Sequence, residues 1–89
     1  MKLLLCRKCT DIIKLTTLTK FCECGQSGGK YLDNLNAVYC GQGIPLGINN
    51  KTLITAVDNQ SENGLGENFI AFVIPSICLT YKLVTRLDC

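Results

Sequence analysis

Apolar positions in the first half of this chain come in short runs and alternations that suit strands better than helices. Residues 2–5 (KLLL) predict a short strand. Residues 10–16 (TDIIKLT), rich in β-branched side chains, predict its partner, with Ile12 and Ile13 on opposite faces. Residues 30–32 and 37–39 predict a hairpin closed by Asp33-Asn34-Leu35-Asn36, whose Asp and Asn favour turn geometry. Residues 26–29 read as a flexible bend, and residues 40–47 (CGQGIPLG) as a loop punctuated by glycines and a proline. Asn49 or Asn50 offers a helix cap before residues 51–58 (KTLITAVD), a two-turn helix with Leu53, Ile54 and Val57 on one face. Polar residues 59–68 form an exposed loop. Residues 69–74 (FIAFVI) are the most apolar run and predict a buried strand ended by Pro75, with Phe72 in the core and the helix on one face. Residues 76–89 alternate weakly, like an edge strand.

The elements add up to one small α+β domain over residues 1–89. It comprises a β-hairpin lobe over residues 3–40 and an extension of loop, short helix and late strand over residues 41–89. Composition changes that picture in one respect. A chain of 89 residues with no Trp and six other aromatics buries a modest core and calls for a staple.

Seven cysteines supply the candidate. Four fall in two close pairs, Cys6-x2-Cys9 and Cys22-x-Cys24, twelve residues apart. Each pair can offer two thiolates from a tight turn, and the intervening hairpin can bring the turns together, as a tetrahedral metal requires. Gly25, just after Cys24, allows the positive φ that such a turn often needs. Zn²⁺ is the expected ion, with iron in a four-thiolate site its rival. A closed set of four sulfurs leaves no position for water, so the expected metal is structural. Cys40 and Cys78 read as small core hydrophobes and Cys89 as an exposed terminal thiol.

Over residues 3–40 this pattern resembles a zinc ribbon. By type, Cys6, Cys9, Cys22 and Cys24 match the ligand positions. The second pair has one intervening residue where ribbons usually have two, and Thr10 stands where a glycine is common. The resemblance implies a metal site on a β-hairpin scaffold. It implies no single function, since ribbons serve transcription, translation, nucleic-acid processing and protein contacts.

Two further features bear on function. In residues 41–52, Gly41, Gly43 and Gly47 followed by Asn49, Asn50, Lys51 and Thr52 at a helix start could cradle a phosphorylated small ligand such as a nucleotide. The spacing is not that of a Walker A loop, because Ile48, Asn49 and Asn50 separate the last glycine from the lysine. The alternative is a proline-stiffened, Asn-capped turn. Arg7, Lys8 and Lys20 are candidates for contact with a partner or with nucleic acid. Residues 1–30 carry a net charge of +4 and residues 31–89 a net of −2; four thiolates around a divalent ion would offset part of the basic excess.

Catalysis has no support: there is no histidine, and the acids fall in loops without pairing. The opening MKLLLC has three leucines where a secretory core needs about 7–15 apolar residues. No run approaches the roughly 18 residues of a membrane span. The expectation is a cytoplasmic, non-enzymatic zinc-binding adaptor or regulator contacting a protein, away from membranes. A phage-type inhibitor of host machinery is one such role by analogy. Nucleotide binding or sequestration and nucleic-acid binding are the alternatives.

Overall fold

A computed structural model of the chain describes residues 1–85. Nine elements follow in order: β1 (Lys2–Cys6), β2 (Ile12–Lys14), β3 (Lys20–Phe21), β4 (Ser27–Tyr31), β5 (Ala37–Gly41), β6 (Gly43–Ile48), α1 (Asn50–Asp58), β7 (Ala71–Val73) and β8 (Tyr81–Leu83). They form two four-stranded sheets, ordered β2-β1-β6-β7 and β3-β4-β5-β8. Every pairing is antiparallel except β5 with β8. The architecture is α+β, dominated by strands.

The early elements form where the side-chain pattern places them. β1 and β2 pair with Leu4 opposite Ile13; Ile13 is buried and Ile12 is exposed. The β4–β5 hairpin is closed by an Asx turn, in which the Asp33 carboxylate accepts the backbone N–H groups of Leu35 and Asn36, both at 2.8 Å. The Asn36 side chain, with these two N–H groups, holds the Asp33 carboxyl down to about 2. Asn49 caps α1, its side chain accepting the Thr52 N–H at 3.2 Å.

Elsewhere the glycine-rich stretches are strand, where their composition predicts a bend and a loop. The expected bend at residues 26–29 opens β4, and the expected loop at residues 40–47 is the end of β5, a tight turn and most of β6. Gly28 and Gly29 lie in the ladder because a neighbouring ring or strand fills the space of a side chain. A Cβ on Gly28 would meet the Phe21 ring at 2.5 Å, and one on Gly29 the Val38 carbonyl oxygen at 2.8 Å. Pro45 is tolerated inside β6 because its missing N–H faces the end of β7; its carbonyl still accepts the Ile74 N–H at 2.9 Å. β6 pairs with β1 along its length, so the chain returns from the second sheet to the middle of the first.

The late strand exists but is not buried. Ala71, Phe72 and Val73 pair with β6 at the sheet edge and all three are exposed; of residues 69–74 only Ile74 is buried. The helix does not cover the strand either, since α1 has no buried residue. An apolar run becomes core only where a second layer lies over it, and here the second layer covers Ile74 but leaves residues 71–73 exposed. Phe72 spreads its ring over Gly47, where a Cβ would come within 2.6 Å of the ring. Phe72→Ala is therefore expected to cost about 1–1.5 kcal/mol, not the 3–5 of a core phenylalanine. A urea melt measures the difference.

The core lies between the sheets: Leu4, Cys6, Ile13, Leu15, Cys22, Ala37, Tyr39, Ile74 and Tyr81. Tyr81 extends the weak alternation of residues 76–89 into a short strand, and residues 86–89, Cys89 included, lie outside the described residues.

Candidate metal centre

Two turns, one from each sheet, meet at one end of this core. The first leaves β1 at Cys6 and runs through Arg7 and Lys8 to Cys9. Cys6 donates its N–H to the Asp11 carbonyl at 2.9 Å, and Thr10 donates its own to the Cys6 carbonyl at 2.9 Å. Closing this turn puts Thr10 at φ +62°, a left-handed conformation that costs a β-branched residue roughly 1–2 kcal/mol. The glycine common at this position in ribbons would avoid that cost. Thr10→Gly is accordingly expected to stabilise the protein by about 1 kcal/mol, some of the gain being offset by loss of the hydroxyl bond to the Cys9 carbonyl. A denaturation midpoint that falls would contradict it.

The second turn follows β3. Cys22 donates to the Ser27 carbonyl at 2.9 Å, Gly25 donates to the Cys22 carbonyl at 3.0 Å, and Gly25 takes φ +77°. Asp11 joins the two turns: its carbonyl holds Cys6, while its carboxylate accepts the Glu23 N–H at 2.9 Å. Gln42 braces them from the β5–β6 turn, donating to the Gln26 carbonyl at 3.0 Å and accepting from Arg7 at 3.1 Å. Sequence reasoning missed Asp11, Gln42 and Ser27, because backbone bonding partners leave no spacing signature.

The four sulfurs lie within 4.8 Å of one another. Cys24 Sγ is 3.7 Å from Cys6 Sγ and 3.6 Å from Cys22 Sγ. A tetrahedron with metal–sulfur bonds of about 2.3 Å has edges of about 3.8 Å, whereas a disulfide would need about 2.05 Å. The four thiols are free and are spaced for a cation.

The electrostatics fit the same conclusion. Ser27 Oγ is fully buried and makes no hydrogen bond of ordinary geometry. It lies against the Cys6 thiol and is the largest of the influences that hold that thiol down to about 6, with the Cys9 and Lys8 N–H groups adding and burial opposing. At Cys24 the Gln26 N–H favours the thiolate, but desolvation and the other three sulfurs outweigh it and push the thiol up to about 12. Crowded sulfurs resist ionising together unless a cation neutralises them. The donor set therefore fits a metal ion bound by Cys6, Cys9, Cys22 and Cys24, with the buried Ser27 hydroxyl behind Cys6.

The other candidates fall elsewhere. Gly41 and Gly43 flank the bracing turn beside the cysteines, with Gly41 at φ +77°. Gly47, Asn49, Asn50, Lys51 and Thr52 lie towards the far end of β6, roughly 17 Å away at the usual strand rise. The seven residues share no cradle. Around the helix start, Asn49 N–H bonds the Ile70 carbonyl at 2.9 Å, Asn49 Oδ1 serves as the cap, and Thr52 Oγ1 accepts from Ile70 at 2.9 Å. Arg7 and Lys8 are exposed on the first cysteine turn, and Lys20 is exposed on β3. Cys40 is buried and Cys78 half-buried, both outside the cluster.

No family model matches this chain, and no curated protein or solved structure does either. None of the helices among the described residues is long and apolar enough to cross a membrane.

Proposed function

We propose that this chain is a zinc-stapled binding module without catalytic activity. Cys6, Cys9, Cys22 and Cys24 hold one Zn²⁺, and the folded protein acts by contacting a macromolecular partner, a protein. The observation that carries the metal reading is the spacing of the sulfurs, which approaches the edge length of a ZnS₄ tetrahedron before any ion is added. Four protein ligands complete that tetrahedron, so the ion has no open position for water or substrate and serves the fold. A borderline-soft ion without redox chemistry suits four thiolates, and zinc meets that description.

Elemental analysis of reduced, folded protein tests the reading, with one zinc per chain expected. Reconstitution with Co²⁺ should give the intense visible bands of tetrahedral thiolate coordination. Iron in place of zinc would correct the identity of the ion, and folded protein without any metal would overturn the reading.

A further inference from the structure

Resting on the zinc reading above, we propose that Ser27 is a positioning residue of the metal centre. Its hydroxyl donates a hydrogen bond to the Cys6 thiolate when the ion is bound, and so sets how tightly the ion is held. Ser27 opens β4 just after the second cysteine turn and is fully buried. Among the described residues its Oγ is the one buried side-chain oxygen or nitrogen without a hydrogen-bond partner. Opposite it on β5 stands Gly41, which has no side chain to offer an acceptor. Buried hydroxyls are nearly always partnered, because leaving water without a substitute bond is costly. The group that lies against this one is the Cys6 sulfur. A thiol is a weak acceptor, whereas the thiolate of a metal ligand is charged and accepts strongly. The hydroxyl is thus placed for the loaded site.

The backbone supplies donors to the sulfurs on its own account. The Lys8 and Cys9 N–H groups face Cys6, the Gln26 N–H faces Cys24, and the Ser27 N–H faces Cys22. Ser27 therefore meets a ligand from each turn, Cys22 through its N–H and Cys6 through its hydroxyl. Its carbonyl accepts the Cys22 N–H at 2.9 Å, which ties it to the second turn while its side chain reaches the first. Four thiolates around a divalent ion leave a net charge of about −2, at an end of the core where Cys6 and Cys22 are buried. Directed donors offset that charge. Backbone N–H groups do so whatever side chain they carry. The hydroxyl is the one contribution that requires serine at this position, and alanine would keep the strand and lose it.

Ser27→Ala, compared with the parent chain, is the test. Competition with a chromophoric chelator should show zinc held about 10–100-fold less tightly, the usual cost of losing a hydrogen bond to a metal ligand. Lost packing also weakens binding, so the Co²⁺-loaded proteins supply a second readout. A hydrogen bond lowers the energy of the sulfur electrons, and its loss should move the sulfur-to-cobalt charge-transfer band of Ser27→Ala to longer wavelength. Unchanged affinity overturns the proposal. So does weaker binding with the band unmoved, which would make Ser27 a packing residue only. If Ser27→Ala does not fold, the parent chain decides. Loaded with a cadmium isotope of nuclear spin one-half, it should show a slowly exchanging Ser27 hydroxyl proton coupled to the metal through Cys6, and absence of that proton overturns the proposal. Each of these failures leaves one zinc per parent chain, and with it the metal reading, intact. A parent chain that folds without metal overturns both.

Discussion

Replacing any one of Cys6, Cys9, Cys22 or Cys24 by serine is expected to strip the metal and unfold the protein. A structural zinc site contributes apparent binding energy of order 10 kcal/mol, and a small domain has roughly 5–15 kcal/mol of total stability. Serine offers no anionic ligand at neutral pH, so three thiolates would remain in a crowded site with the fourth corner open. The damage is not local. Cys6 ends β1 of one sheet, while Cys22 and Cys24 stand between β3 and β4 of the other, so an ion held by the cluster would join the two layers at that end. Metal stoichiometry together with a thermal melt checks this, and removal of the ion by a chelator should reproduce it in the parent chain. Cys78→Ser is the control. This thiol lies outside the cluster, against the Thr80 hydroxyl at 3.5 Å, and its loss should leave the metal in place. A Cys9→Ser protein that melts like the parent would refute the staple.

The second large effect is expected at Tyr81, which fastens the sheets away from the cysteine cluster. Its ring is fully buried and meets Tyr39 edge-on, with centroids 5.0 Å apart and planes at 83°. Its hydroxyl reaches across the core to donate to the Leu3 carbonyl in β1 at 2.8 Å. Burial raises the Tyr81 pKa above its ordinary value, with the neighbouring Tyr39 and Tyr31 hydroxyls adding, so the phenol remains a donor. Tyr81→Ala should cost about 3–5 kcal/mol, as for other large core aromatics. Tyr81→Phe keeps the ring and leaves the Leu3 carbonyl without that donor, for about 1–2 kcal/mol. Chemical denaturation of both variants separates packing from hydrogen bonding. Equal losses in the two would mean that the hydroxyl, not the ring, holds the layers.

These two fasteners differ in how visible they are in the sequence. The cysteines announce themselves, because a metal site built on tight turns needs its donors in close pairs, and close pairs are a spacing. Tyr81 lies in a stretch whose weak alternation suits an exposed edge as well as a buried strand. What decides between them is the parallel pairing of β8 with β5, a contact between residues more than forty positions apart. The helix cap at Asn49 and the Asx turn at Asp33 were readable for the same reason as the cysteines, since each is completed within four residues.

The chain order by itself determined the cysteine cluster, the first two strands, the β4–β5 hairpin, the turn at Gly25 and the short helix. All of these rest on bonds between near neighbours. Only the tertiary structure decided the rest. It turned the glycine-rich run at residues 40–47 into a central strand, because Leu4 and Phe72 occupy the space over Gly43 and Gly47. It set Gln42 and Ser27 behind the cysteines. It also left residues 71–73 on an open edge, although their composition is that of a core. Apolarity records the tendency of a side chain to leave water, and burial further requires a second surface to meet it. For this protein the sheet order, not the side chains, determines which apolar residues find that surface within their own chain.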